Sequence, residues 1–96
     1  MNSIERRFVQ LHPRSQKLQI KAQLAFPGGV THDTRYLAPF PLFMDSATEC
    51  MKRDVDGLEY IDYVMGHGAL LLGHAHPIVT EAAREQLGLG THLGAN

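Results

Sequence analysis

The sequence of 96 residues predicts an α+β fold, and three observations support this prediction. Apolar residues recur at helical spacing near each end of the chain, over residues 17–25 and 77–87. Between these segments, short runs of strand-forming residues alternate with turn residues such as Asp56 and Gly57. Asp-Gly between two such runs favours a hairpin, because glycine accepts the positive φ of a tight turn. We therefore expect an N-terminal helix, a three-stranded antiparallel β hairpin region and a following helix.

Residues 1–14 are predicted to form an N-terminal arm, because their weakly helical pattern of apolar residues stops at Pro13. Ser15 is a favourable N-cap for the helix over residues 17–25, which ends at a Pro-Gly-Gly sequence. Residues 30–37 mix strand-forming types with polar residues on both faces and lead into a proline-rich stretch. They are expected to form an extended loop.

The strands are predicted at residues 42–44, 49–53 and 59–64, with turns at 45–47 and 54–57. The final helix begins at a proline, which suits a first helical position because its missing N–H is no loss there. Glycine ends this helix, and its apolar stripe consists of Ile78, Val79, Ala82, Ala83 and Leu87.

Composition excludes several classes of function. A net charge of -1 and a pI near 6.6 provide no electrostatic footprint for nucleic acid or an anionic membrane. No apolar run approaches the roughly 20 residues needed to span a bilayer, and the N-terminus lacks the pattern of a secretory signal. With Cys50 as its single cysteine the chain forms no internal disulfide, so we expect a cytoplasmic protein. The loop-like residues after the last helix suggest a piece of a longer protein.

Glycine and histidine are concentrated in residues 60–77. A dinucleotide-binding loop is excluded, because the third glycine of that motif falls on Leu71 and the preceding strand closes a hairpin. A metal site at His74 and His76, with His67, lacks the further ligands that close such a site. Histidines at a helix start more often cap or pack, so His74 and His76 are expected to be structural.

Two other candidates for catalysis are also interpreted as structural. Cys50 has no neighbouring base in the sequence, and it is expected to be a small strand or core residue. Asp54 and Asp56 resemble a paired acid and base, but in a hairpin turn such carboxylates usually accept backbone N–H groups.

Arg35 lies on a polar segment between Pro-Gly-Gly and Pro-x-Pro. Its planar guanidinium is suited to binding a carboxylate at two points. The alternative is a solvated loop arginine without a specific role. The residues alone favour the solvated arginine, because most exposed charges have no specific role.

Three motifs together resemble a known family: P-G-G-V at residues 27–30, D-V-D-G-L-E-Y-I-D-Y at 54–63, and L-G-H-A-H-P at 72–77. The chain is similar to the N-terminal segment of class III, pyridoxal-phosphate-dependent aminotransferases. These include the glutamate-1-semialdehyde aminomutase and D-phenylglycine aminotransferase types. The resemblance covers residues 15–96. It implies a small-domain segment of a fold-type I enzyme, without the large domain.

The resemblance implies that the complete enzyme binds pyridoxal 5'-phosphate and is a homodimer with its active site at the subunit interface. It would transfer an amino group between an amino acid and a 2-oxo acid. The family's cofactor-binding lysine lies later in the chain, and Lys17, Lys21 and Lys52 match none of its motifs. The segment is therefore expected to contain no catalytic residue and to be inactive alone.

By the same resemblance, Arg35 matches the arginine that binds the substrate carboxylate. His67 falls where the aminomutases carry tryptophan, in a loop that lines the substrate pocket, and Gly66 and Gly68 shape its mouth. His32 replaces an aminomutase serine, and His67 in place of the tryptophan argues against glutamate semialdehyde as substrate. The run G-H-G-A-L-L-L-G-H at residues 66–74 is closer to the amino-acid aminotransferase branch. The alternatives are an aminomutase, or a non-catalytic fragment that docks onto a partner carrying the large domain.

Overall fold

The computed structural model describes residues 1–94. The helices are α1 (Ser3–Leu11), α2 (Pro13–Gln23) and α3 (Pro77–Leu87), and the strands are β1 (Met44–Thr48), β2 (Met51–Asp54) and β3 (Glu59–Ile61). Two short 3₁₀ helices, Pro27–Gly29 and Asp33–Arg35, lie between α2 and β1. Within this described part, no helix is long and apolar enough to cross a membrane.

The strands form one antiparallel sheet in the order β1-β2-β3, which confirms the predicted α+β class. The predicted turn at residues 45–47 is wrong, because those residues lie inside β1. Their turn-forming side chains are tolerated because β1 is largely exposed, and the chain reverses at Glu49 instead, with φ at 50°. The third strand ends at Ile61 rather than at residue 64, because the Asp62 side chain accepts the amide N–H groups of Val64 and Met65 and so begins a turn.

The first helix begins with a capping box in which the Asn2 and Glu5 side chains each accept the other residue's backbone N–H. This confirms the helical pattern of the first residues. The prediction of Ser15 as the N-cap of the next helix is wrong, because α2 begins at Pro13. Ser15 instead lies buried in the first turn, where its hydroxyl accepts the amide N–H of Phe43.

The chain divides into two compact units. Unit 1 comprises Met1–Ser46 and Lys52–Tyr60, and unit 2 comprises Ala47–Met51 and Ile61–Asn96. Unit 1 has a mainly polar interior: among residues 1–94, Phe40 is the single buried hydrophobic side chain. The ring of Phe8 packs on Phe40, with centroids 5.0 Å apart. Burial of polar groups is favourable only where each finds a partner, so hydrogen bonds carry much of the specificity of this unit.

In unit 2, every residue of α3 is exposed. Ile78, Val79 and Leu87 are 75%, 52% and 64% exposed. Among the described residues of this unit, the buried one is Asp62, directly after β3. Unit 2 is therefore organised around a carboxylate rather than around an apolar core.

Candidate substrate-binding site

Arg35 ends the second 3₁₀ helix, at Asp33–Arg35. This corrects the expectation of an extended loop over residues 30–37. The local reason is that the side chains of His32 and Asp33 both accept the amide N–H of Thr34, which caps a tight turn. Arg35 is exposed, and its Nη1 donates to the hydroxyl of Thr31 at 2.9 Å. This bond uses one of five guanidinium N–H groups, so a two-point contact with a carboxylate remains available.

The start of the segment that carries Arg35 is attached to α2. Gly28 and Gly29 adopt φ of 66° and 70°, a region that glycine enters without strain. The side-chain amide of Gln19 on α2 donates to the carbonyl of Gly28 at 2.9 Å. A Cβ at Gly29 would collide with that amide. The Pro-Gly-Gly motif is therefore needed for close packing on α2.

The N-terminus of α2 is held by a residue of the hairpin turn. The Asp56 carboxylate accepts the amide N–H of Arg14 at 2.7 Å and that of Ser15 at 2.9 Å. Burial alone would raise the pKa of Asp56, but these two amide donors outweigh it and hold the pKa below its usual value of 3.8. The carboxylate thus caps a helix more than 40 residues away in sequence.

A buried polar cluster joins α1, β2 and β3 within unit 1. His12 donates from Nδ1 to the Phe8 carbonyl at 2.7 Å, and its Nε2 lies 2.9 Å from the Tyr60 hydroxyl. Tyr60 donates to Asp54 Oδ2 at 2.8 Å. Burial, together with this bond to a carboxylate, raises the pKa of Tyr60 to about 12. Asp54 Oδ1 accepts the amides of Asp56 and Leu58, which confirms the predicted backbone role of this aspartate.

Sequence reasoning missed this cluster. His12 lies in the segment predicted as an arm, and its partner Tyr60 is 48 residues away. No periodicity joins two such positions. The one available signal was a histidine directly before the proline that begins α2, where a side chain can reach across the junction between two helices.

Gly66, His67 and Gly68 lie in one left-handed turn of unit 2. Met65, Gly66, His67 and Gly68 have φ of 48°, 62°, 58° and 84°. The turn is closed by bonds from the Gly68 amide to the Val64 carbonyl at 3.1 Å and from the Leu70 amide to the Met65 carbonyl at 3.1 Å. The His67 side chain is exposed. The turn therefore presents an imidazole on a backbone that is strained at its non-glycine positions.

His74 has the structural role predicted for it. Its Nε2 donates to Asp62 Oδ2 at 2.6 Å, and its backbone forms an antiparallel bridge with Glu49. His76 precedes α3 as its N-cap residue without a capping side-chain hydrogen bond. No group of three or more potential metal ligands occurs among residues 1–94.

The structure thus groups three of the four predicted site residues in a single turn of unit 2. Arg35 belongs to unit 1, where it lies at the end of a segment fixed to α2. The assignments of Arg35 and His67 to substrate binding stay predictions.

The sequence of this chain matches a known protein family. Residues 33–96 match the family model described as Aminotransferase class-III. The glutamate-1-semialdehyde 2,1-aminomutase of Methanothermobacter thermautotrophicus is 43% identical over 81 residues, which are 84% of this chain and 19% of that protein.

Solved structures agree with this match. A β-phenylalanine aminotransferase from Variovorax paradoxus superimposes with a TM-score of 0.87 and 28% identity, covering 96% of this chain and 21% of its own. A transaminase with PLP bound gives a TM-score of 0.82 and 34% identity, covering 88% of this chain and 20% of its own. The predicted fold, a fragment of a fold-type I enzyme, is confirmed. The chain spans about a fifth of the length of these relatives, and it belongs to the class III aminotransferase family.

Proposed function

We propose that the chain is the N-terminal segment of a pyridoxal-phosphate-dependent aminotransferase that transfers an amino group between an amino acid and a 2-oxo acid. The observation that carries the proposal is the exposed guanidinium of Arg35, attached by a single N–H to Thr31 on a segment fixed to α2. Amino acids and 2-oxo acids share one group, the carboxylate, and a planar cation binds it at two points. Membership of the class III family supports the reaction class.

Pyridoxal phosphate, when bound, supplies an electron sink for chemistry at the carbon that bears the amino group. The residues of this chain fit a position beside the cofactor, and none of its lysines matches the residue to which the cofactor is attached. Lys17 and Lys21 are exposed on α2, and Lys52 lies within β2. We place the lysine that carries the cofactor outside this segment, in the part of the family's length that the chain does not span.

In the complete enzyme, Arg35 binds the substrate carboxylate and so orients the reacting carbon. His67, exposed on its left-handed turn, forms a wall of the substrate pocket, and Gly66 and Gly68 allow backbone to pass close to the ligand. Binding and orientation lower the barrier by holding the reacting groups in place. The enzyme is a cytoplasmic homodimer in this proposal.

The test of the carboxylate role is a kinetic comparison in the complete enzyme. Arg35→Ala should lower kcat/KM for an amino acid, mainly by raising KM, and the corresponding loss of transition-state stabilisation should be about 2 to 5 kcal/mol, because a charged hydrogen-bonded pair is lost. Arg35→Lys should recover only part of it, because lysine does not form the planar fork. An amine without a carboxylate should react equally well with all three proteins.

Arg53→Ala is the matched control, since Arg53 is an exposed arginine on β2. It should leave the kinetics for both kinds of substrate unchanged. An unchanged KM for the amino acid in Arg35→Ala would refute the assignment.

An aminomutase is the second candidate, favoured by the 43% identity to the Methanothermobacter protein of that name. The two reactions are separated by product analysis. Amino transfer converts a 2-oxo acid into an amino acid, whereas an aminomutase isomerises glutamate 1-semialdehyde without a second substrate. Conversion of the semialdehyde without dependence on any 2-oxo acid would replace the leading proposal by this one.

A further inference from the structure

The turn that carries His67 is stabilised by residues to which the proposed function assigns no role. Four consecutive residues, Met65 to Gly68, are left-handed. Two of them, Met65 and His67, have a Cβ, and each such residue is strained in this conformation. A strained turn persists only where its surroundings determine it. The side-chain contacts that hold this one come from Asp62, at its start.

Asp62 holds the start of the turn. Its Oδ1 accepts the amide N–H of Val64 at 3.0 Å and that of Met65 at 3.1 Å. These amides directly precede and begin the left-handed run. The Asp62 side chain is only 3% exposed, so its carboxylate depends on protein donors rather than water. Its orientation therefore determines where the turn begins.

His74 holds the other oxygen of the same carboxylate. Nε2 of His74 lies 2.6 Å from Asp62 Oδ2, and because a carboxylate accepts only, this nitrogen is the donor. The bond joins two residues 12 positions apart and so closes the loop that contains the turn. A charge-assisted bond of this length is among the stronger hydrogen bonds in proteins.

The backbone of His74 is itself fixed. Its N–H donates to the Glu49 carbonyl at 2.8 Å, and its carbonyl accepts the Glu49 N–H at 2.9 Å. Gly73 permits this approach, because a Cβ there would lie 3.0 to 3.2 Å from the Glu49 backbone. The His74 imidazole thus contacts Asp62 from a backbone that is held in place.

We propose that Asp62 and His74 form a positioning pair that holds the left-handed turn, and through it the His67 side chain, at the substrate pocket. The inference rests on the proposed function, since it concerns the same pocket. Breaking the bond removes the His74 donor from Asp62 Oδ2, so that the carboxylate holds the Val64 and Met65 amides less firmly. The strained turn then relaxes toward right-handed backbone, and the His67 imidazole points elsewhere.

The experiment compares His74→Leu with His74→Gln in the full polypeptide that carries this chain. Glutamine keeps an N–H donor near the place of Nε2, whereas leucine keeps volume without a donor. Hydrogen exchange of the Val64, Met65 and Gly68 amides reports on the turn. It should become about 10- to 100-fold faster in the leucine variant and stay near wild type in the glutamine variant.

Steady-state kinetics reports on the pocket. KM for the amino acid should rise about 10- to 100-fold in His74→Leu, with a smaller change in kcat, and His74→Gln should recover it. His92→Leu is the matched control, an exposed histidine beyond α3 that should change neither measurement. Should the leucine variant not fold, His74→Met serves instead, because its flexible thioether side chain also offers no donor to Asp62.

Normal exchange of the three amides in His74→Leu, or in His74→Met, would overturn the proposal. Faster exchange with unchanged KM would overturn it as well, because the turn would then not position the substrate. A wild-type protein whose turn is protected but which transfers no amino group would refute the proposed function instead. Exchange and catalysis therefore separate the two failures.

Discussion

At Tyr60, burial and the neighbouring Asp54 carboxylate hold the phenol in its neutral form. Its pKa is raised from the usual value of 10.0 to about 12. Because the folded state binds the proton more tightly, the stabilisation is complete below pH 10 and is lost as the pH rises toward 12. The loss should amount to about 2 to 3 kcal/mol of unfolding free energy.

Tyr60→Phe tests this prediction. Removing the hydroxyl leaves Asp54 and His12 without a shared partner, so unfolding free energy should fall by about 1 to 3 kcal/mol at neutral pH. The decline between pH 10 and 12 should disappear in this variant. Urea unfolding at neutral and alkaline pH measures both effects. Tyr63→Phe is the control, since Tyr63 is 88% exposed, and an alkaline decline that survives in Tyr60→Phe would contradict the assignment.

At the scale of elements, the turn between β1 and β2 is tied to the Gly73–His74 segment by close backbone contact. Gly73 has φ of 84° and a Cβ there would meet the Glu49 backbone at 3.0 Å. Gly57, in the turn before β3, has φ of 91° and nothing within 4 Å of such a Cβ. Both glycines have a positive φ that would strain any other residue, but only at Gly73 would a Cβ also meet neighbouring backbone.

Alanine at each position separates these two effects. Gly57→Ala should cost about 1 to 2 kcal/mol of unfolding free energy, from positive φ alone. Gly73→Ala should cost about 1 to 3 kcal/mol more, because the backbone bridge to Glu49 must also open. Chemical denaturation of both variants measures the difference. Equal losses would show that the close approach contributes nothing.

An element can be predicted from the sequence when neighbouring residues determine it, and it is missed when distant residues do. The helix beginning at Pro77 and the Asp-Gly hairpin were predicted, because each rests on neighbouring residues. The N-cap of α2 was placed at Ser15 instead of His12, three residues too late, since Asp56 from a distant turn accepts the amides of the first turn. The run of residues 45–47 was mistaken for a turn because composition does not distinguish a solvated strand from a turn.

The candidate site shows the same limit. Arg35, Gly66, His67 and Gly68 were predicted from motifs and resemblance, and their roles in binding stay predictions. The pair of Asp62 and His74 was not, because its contact depends on how β3 ends and on the bridge from His74 to Glu49. A motif suggests residues for ligand contact, whereas the side chains that hold a turn depend on contacts between distant parts of the folded chain.

At the scale of the whole molecule, the exposure of α3 determines what the chain does in isolation. An 11-residue helix is marginal in water without tertiary packing. In the isolated 96-residue chain, amides of α3 should therefore exchange within about tenfold of the unfolded rate. In the complete enzyme, covering Ile78, Val79 and Leu87 should slow them by orders of magnitude. NMR-detected exchange of both proteins measures this, and strong protection of α3 in the isolated chain would contradict it.

In the proposed substrate pocket, the left-handed backbone at residue 67 also limits how the substrate range can change. Positive φ at a non-glycine position is tolerated best by asparagine, aspartate and histidine, and worst by β-branched residues. Few residue types are therefore tolerated at position 67. Asparagine or glycine should replace histidine with little loss of stability, whereas valine or isoleucine should disrupt the loop rather than reshape the pocket. Libraries designed to alter specificity should draw from the first set, and variation toward branched aliphatic side chains should arise at neighbouring positions with ordinary backbone.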